Sequence, residues 1–275
     1  MMNFAPALYI ISTPIGNLED FTIRSINVLI KSNLILCEDT RRSIKLLNHY
    51  KIKNKLISYH KFNERSRVDD VIKRIKSGQI IALISDAGTP TISDPGRILC
   101  EECIKNNINI IPLPGPSAIT AAISASGFSD QFYFHGFINK QTKKAEKEFK
   151  TLSKIESSIV VFVNPKKINS HIEYIKKYFG GRKILIAREI SKYNETFYRY
   201  TVNDLDYFKE ELLGEITIVI SEKISNEKVI TDKELEKEIK LLSKRLSSKD
   251  IVNKISKKYK FSKKKIYDIC LKYKK

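Results

Sequence analysis

The stretch Ser85 to Gly96, SDAGTPTISDPG, sets two carboxylates, Asp86 and Asp94, among two glycines and two prolines, directly after the apolar run Gln79 to Ile84. The chain of 275 residues holds only ten glycines and eight prolines in all, so this is a shaped loop. Glycine lets backbone approach a ligand closely, and proline fixes a loop and lowers the entropy lost on binding. An aspartate at a strand end is placed to accept hydrogen bonds from a ribose hydroxyl pair. The chemistry suggested is recognition of a small polar ligand. Ser12 to Leu18 (STPIGNL) and Pro114 to Ala118 (PGPSA) leave apolar runs in the same way. Neither fits the dinucleotide fingerprint G-x-G-x-x-G or the phosphate loop G-x-x-x-x-G-K-S/T. A Rossmann NAD enzyme or an NTPase is therefore not expected.

Other reactive side chains have plain structural readings. Asp39 in Cys37 to Arg41 (CEDTR) stands where it can cap a helix beginning near Thr40, and Glu38 with Arg41 has the spacing of a helical ion pair. Asp94, just before Pro95, reads as a cap for the helix that follows. Cys100 and Cys103 form a C-x-x-C, but the second half of a zinc site is missing, and Cys37 and Cys270 are isolated. The four cysteines read as thiols, with that pair buried on an apolar helix face, and no metal is expected.

The elements that must position these groups alternate. Residues 7–11, 34–37, 56–59, 79–84 and 109–113 are short apolar runs that read as buried strands, separated by helical patterns such as 63–76 with Asn63 as its cap. Such alternation predicts a parallel α/β domain over residues 1–116. Residues 117–225 repeat the theme, with strands at 158–163, 183–187, 196–202 and 215–220 and helices at 143–155 and 168–178. The alternation in Thr196 to Val202 (TFYRYTV) points to a solvated face and a mixed sheet. Residues 226–275 form a basic C-terminal segment, in which 231–275 read as two or three short helices, the last two at 248–259 and 262–272.

The formal net charge is +19, and from Lys240 to Lys275 fourteen Lys and Arg face only Asp250 and Asp268, a local balance of +12. A polyanion such as nucleic acid is the simplest partner for that segment; the alternative is a lysine-rich, merely solvated surface. No apolar run is long enough to span a bilayer and no secretion signal opens the chain, so the expected location is the cytoplasm.

TPIGNLED (13–20), CEDTRRS (37–43), SDAGTPTISDPG (85–96), LPGPSA (113–118), AREISKYNET (187–196) and GE (214–215) resemble, in order, the ribosomal RNA small subunit methyltransferase I family of the tetrapyrrole (corrin/porphyrin) methylase superfamily. SSKDIVNKISKKYKFSKKKIYDICL also looks like the family's helical end. The resemblance implies two α/β domains around S-adenosylmethionine, a homodimer, and 2′-O-methylation of a cytidine ribose in the decoding region of 16S ribosomal RNA, free or in the small subunit. It places donor contacts at Pro14, Asp86, Thr89, Ser117 and Ala118, with Gly88 and Gly115 admitting backbone. In the second domain it places them at Val163, Asn164, Ala187, Glu215 and Ile216.

A ribose hydroxyl is a weak nucleophile, so a base or a cation favouring the alkoxide would assist it. Glu38, Asp39 and Arg41 are the expected catalytic group, Asp39 as base and Arg41 on phosphate or developing charge. His60, Asn63 and Glu64, and Arg188, Glu189 and Lys192, form further candidate groups. The chain departs from the family pattern at Phe162 to Lys167 (FVNPKK, where Y-E-x-P-H-R is common), at Gly136 to Asn139 (GFIN for G-F-L-P) and at Phe62, where a histidine is common. Two rival readings are a sibling that methylates a tetrapyrrole or a protein, which has no need of the basic tail, and a non-catalytic RNA-binding relative, against which the intact loops count.

Overall fold

Leu8–Ile11 (β1), Leu34–Cys37 (β2) and Ile81–Ile84 (β4) are four-residue apolar runs with every residue buried. That is the pattern of strands covered on both faces. The computed structural model, which describes residues 4–223, 231–259 and 261–273, pairs them with Leu56–Ser58 (β3) and Ile110–Leu113 (β5) into an all-parallel sheet of order β3-β2-β4-β1-β5. Side chains alternate between two cores. Tyr9, Ile11, Ile35 and Ile84 meet Val28, Leu29 and Leu47 from Ile23–Lys31 (α1) and Thr40–His49 (α2). Leu8, Leu34, Leu36 and Leu83 meet Val68, Val71, Leu99 and Cys103 from Glu64–Lys76 (α3) and Arg97–Lys105 (α4). Burial pushes the Cys103 thiol up to about 12, so it is an inert core residue.

The second sheet is mixed, as expected. Its order is β6-β7-β10-β8-β9, from Phe132–Phe137, Ser158–Val163, Ile216–Ile220, Lys183–Arg188 and Thr196–Thr201 in that spatial order. Only β6 and β7 run parallel; the other pairs are antiparallel. Thr142–Leu152 (α6) and Ile168–Phe179 (α7) cover one face. Ala118–Ser126 (α5) covers the other, where Ala122 packs on Val160, Leu185, Ala187 and Val219. The sequence reading did not include β6 or α5. β6 is bulged at Gly136 (φ +92°), and its register shifts between Phe134 and Gly136. α5 is built from small residues with weak periodicity.

Contacts divide the chain into two units, Met1–Lys223, which holds both sheets, and Ile224–Lys275. The boundary expected after residue 225 lies outside the described residues. The second unit has three helices among its described residues, Asp232–Ser243 (α8), Ser248–Lys258 (α9) and Lys263–Tyr273 (α10), around a core that includes Leu235, Ile239, Ile251, Ile255, Ile266 and Cys270. Among the described residues no helix is long and apolar enough to cross a membrane.

Candidate functional site

Strands β4, β1 and β5 are parallel neighbours, so the loops that follow them leave the same edge of the sheet, where open α/β sheets bind ligands. The three loops are joined to one another. The Thr13 N–H donates to the Gly88 carbonyl at 2.9 Å, and the Gly88 N–H donates to the Thr13 carbonyl at 3.0 Å. Ser12 Oγ and Thr89 Oγ1 share a hydrogen bond of 2.8 Å, and the Thr13 hydroxyl donates to the Ser85 carbonyl at 3.0 Å. Gly88 has φ +78°, and a Cβ on Gly115 would stand 2.9 Å from Ser12 Cβ. Glycine at these two places is thus a requirement of the loop junction.

Above this edge, and within the first unit, lies a cavity of about 840 Å³, within the range of small-molecule sites. Of the expected donor contacts, Asp86, Gly88 and Thr89 line it from the loop after β4, and Ser117 and Ala118 from the loop after β5. Val163, Asn164, Glu215 and Ile216 line it from β7 and the start of β10. Pro14 instead lines an adjoining pocket of about 370 Å³, which shares Asp86, Arg42 and Glu215 with the larger one. Ala187 lines neither: it is fully buried in β8, where its side chain packs on the α5 face of the second sheet. Of the family departures, Ile138, Asn139, Phe162 and Val163 line the cavity, whereas Lys166, Lys167 and the exposed Phe62 do not.

The expected catalytic group sits at the rim and not on the wall. Asp39 caps α2: its carboxylate accepts the Arg41 backbone N–H at 2.9 Å and the Arg41 guanidinium at 3.0 and 2.7 Å. Arg41's hydrogen bonds, from side chain and then backbone, hold that carboxyl at about 2, too acidic to take a proton from a hydroxyl near neutral pH. Arg41 is 88% exposed at its side chain. None of Glu38, Asp39 and Arg41 lines either pocket. Their neighbour Arg42 lines both and stands 3.4 Å from Asp86 Oδ2, while the Asp39 N–H donates to Asp86 Oδ1 at 3.1 Å. Arg42 was missed by sequence reasoning; the signal was its place in the first turn of a helix capped at the sheet edge.

Asp94 changes role. It does not cap α4, whose N-cap position is Gly96 with no side-chain cap of its own. The buried carboxylate of Glu64 does that work, accepting the N–H of Gly96 at 2.9 Å and of Ile98 at 3.1 Å. Asp94 is left on the cavity wall, its carboxyl pushed up to about 6, first by burial and then by the charges of Glu38 and Asp86, against the pull of Lys61. Asn63 likewise makes no side-chain cap. It folds the turn before α3 by accepting the His60 N–H at 2.8 Å and donating to the Ser58 carbonyl at 3.0 Å.

Glu189 and Lys192 form a lock. Lys192 Nζ lies 2.8 Å from Glu189 Oε1 and 3.3 Å from Glu215 Oε2, and Glu189 also accepts the Glu215 N–H at 2.7 Å. This loop presses on the first one, since a Cβ on Gly16 would collide with Lys192 Cγ and lie 2.9 Å from the Ile190 carbonyl oxygen. The Ser191 hydroxyl donates to Asp20 across the same contact. Arg188 donates to the Leu213 carbonyl at 2.7 Å, a structural bond. No cluster of metal-binding side chains occurs among the described residues.

Comparison with known proteins places this arrangement. The profile of the Tetrapyrrole (Corrin/Porphyrin) Methylases matches residues 7–206. The chain is 43% identical over 219 residues to the Ribosomal RNA small subunit methyltransferase I of Thermotoga maritima, covering 78% of this chain and 98% of the relative. It is 39% identical over 274 residues to the protein of that name from Rickettsia prowazekii, covering 97% of each. Among solved structures, diphthine synthase superposes with TM-score 0.59 at 12% identity, covering 78% of this chain and 89% of the other. The uroporphyrin-III-C-methyltransferase of Thermus thermophilus gives 0.54 at 15%, covering 78% and 93%.

Proposed function

The chain belongs to the tetrapyrrole methylases, within the family of the ribosomal RNA small subunit methyltransferase I proteins, and we propose that it transfers the methyl group of S-adenosylmethionine to the 2′-oxygen of a cytidine ribose in the decoding region of 16S ribosomal RNA. The observation that carries this reading is the juxtaposition, on one cavity wall, of a ligand-binding loop edge and a carboxylate, Asp94, whose affinity for a proton is raised to about 6.

The residues present fit the donor. Asp86 offers acceptors for ribose hydroxyls, and the loops held by Thr13, Gly88 and Gly115 expose backbone groups at close quarters. Ile216, Val163 and Ile15 supply apolar wall for a flat base. S-adenosylmethionine, when bound, supplies an electrophilic methyl group on a sulfonium. Pro14, in the adjoining pocket, belongs to the outer end of the same site.

What the chain's own residues do follows from their placement. Asp94 takes the proton of the acceptor hydroxyl, since a carboxylate near 6 is mostly ionised at neutral pH and yet basic enough to share a proton. Arg42, fixed beside Asp86, and Lys140, on the opposite wall, provide positive charge for the phosphates that flank the nucleotide. Asp39 orients Arg41 at the rim, where Arg41 meets RNA. Much of the acceleration comes from holding donor and acceptor in line. Activity as a homodimer in the cytoplasm, on free RNA or on the assembled small subunit, completes the proposal.

The test is a map of ribose methylation in small-subunit RNA from cells with and without this protein, paired with transfer of labelled methyl groups by the purified chain. Loss of one cytidine 2′-O-methyl in the decoding region is expected. An unchanged map, with label passing instead to a precorrin or to a protein, would overturn the assignment.

A further inference from the structure

The second unit is charged unevenly. Its first helix, α8, carries four acids, Asp232, Glu234, Glu236 and Glu238, whereas the chain from Lys244 onward carries only Asp250 and Asp268 among its many lysines. Two of the α8 acids are spent on α10: Lys265 Nζ meets Asp232 at 2.7 Å and Lys272 Nζ meets Glu236 at 3.5 Å. Lys265 also lies over the Phe261 ring. Ile266, Ile269 and Cys270 of α10 point into the unit's core. These contacts fix which side of α10 is engaged. The opposite side presents Lys263, Lys264, Tyr267 and Leu271, which at 100° per residue fall on one stripe. All four are exposed, Tyr267 at 48% and Leu271 at 55%. Neither Lys263 nor Lys264 has an acidic partner among the described residues.

We propose that this stripe is a docking face for ribosomal RNA outside the methylated nucleotide, with the two ammonium groups on phosphates and the Tyr267 ring against an unpaired base or a ribose. The inference rests on the RNA-methylating function proposed above. Three observations converge on it. The stripe's two lysines are complementary to a polyanion and make no ion pair among the described residues, with Asp268 as the one acid at its edge, while α8 neutralises Lys265 and Lys272. Lysines interleaved with an exposed aromatic are the composition of a nucleic-acid contact, because every base offers a face to stack on. Finally, the Thermotoga relative is matched over 98% of its length by 219 aligned residues, about the size of the first unit alone. The second unit is thus dispensable to a protein of that name, as an affinity module would be and a part of the reaction centre would not. The A-form major groove is too deep and narrow to admit a helix, and the shallow minor groove is recognised by shape, so the face follows phosphates and unpaired bases and reads no duplex sequence.

The test uses the full chain carrying Lys263→Gln, Lys264→Gln and Tyr267→Ala together, with Lys233→Gln and Lys237→Gln on α8 as a control that also removes two positive charges. Circular dichroism and thermal melting first establish that both variants keep the wild-type fold; all five positions are exposed. Binding to a transcript of the 16S decoding region is then measured against salt, and methylation against RNA concentration. The α10 variant is expected to bind about tenfold more weakly, to lose about 1.5 from the slope of log K against log salt, and to show raised KM with unchanged kcat. Equal losses in the α8 control, an unchanged slope, or loss of binding to anionic lipid vesicles with RNA binding intact would each overturn the face. If the wild-type chain binds the transcript but methylates neither it nor small subunits, the functional reading fails, while the comparison of the two variants still decides the docking face.

Discussion

Glu64 and Gly96 are 32 residues apart in sequence, yet the Glu64 carboxylate accepts the Gly96 N–H at 2.9 Å in a buried setting. A side chain from the start of α3 thereby ends the loop that carries Asp86 and Asp94. Glu64→Ala leaves two buried N–H groups without an acceptor, a loss of about 3 kcal/mol at charge-assisted strengths. Denaturant unfolding should register it, and calorimetry should show weaker donor binding. Glu64→Gln keeps an acceptor oxygen and should recover most of both.

The two aspartates near α2 and α4 should separate kinetically. Asp94→Asn is expected to lower kcat by about 10²- to 10⁴-fold, the usual worth of a general base, with donor affinity little changed. Asp39→Asn should cost less than about tenfold, because it loses a helix cap and the hold on Arg41. In single-turnover assays the wild-type rate should fall as pH drops through about 6. An Asp94→Asn enzyme with wild-type turnover would remove this residue from the mechanism.

Gly115 and Ser12 provide a packing test. Gly115→Ala sets a methyl 2.9 Å from Ser12 Cβ, an overlap that costs about 1–3 kcal/mol when neighbours must shift. Donor affinity should fall with it. Ser12→Gly opens the space, so the double variant should recover stability beyond the sum of the single effects, the signature of direct contact in a double-mutant cycle.

His171 sets a pH limit on stability. It is fully buried beside Phe149, and burial, with a smaller push from Lys167, lowers its imidazolium to about 4. The unfolded chain binds this proton near 6.5, so the folded state is disfavoured as pH falls from about 6.5 to 4, by about 3 kcal/mol in full. Asp94, with its folded value raised, acts in the opposite sense between about 6 and 4. The informative quantity is therefore the difference between His171→Leu and wild type: the variant should lose less stability on acidification, as read by chemical unfolding at pH 7, 5.5 and 4.5.

Much of this was legible in the sequence because burial on both faces of a parallel sheet leaves short unbroken apolar runs, as in β1, β2 and β4. A loop with two glycines and two prolines announces itself beside such a run, and the cavity is built on it. Less regular features were hidden. The strand β6 is bulged at Gly136 and half solvated. The cap on α4 comes from Glu64, far away in sequence, so Asp94 read as the local cap when it is a wall residue. Arg42 and Arg41 are adjacent and alike in type, and only the helix direction set by the Asp39 cap decides which of them faces the cavity. Ala187 matched the motif yet points into the sheet's own packing, since side chains on a strand alternate and one step of register reverses the face.

The press of Gly16 on Ile190 and Lys192, with Ser191 bonded to Asp20, bears on how the enzyme turns over. Hinging the two sheets apart would have to tear this contact, and the Lys192 lock on Glu189 and Glu215 keeps the second sheet's side of it in shape. With that contact kept, reactants and products exchange through the cavity's open side. Turnover should accordingly follow solvent viscosity through ligand traffic alone, with no slow closing step ahead of the chemistry.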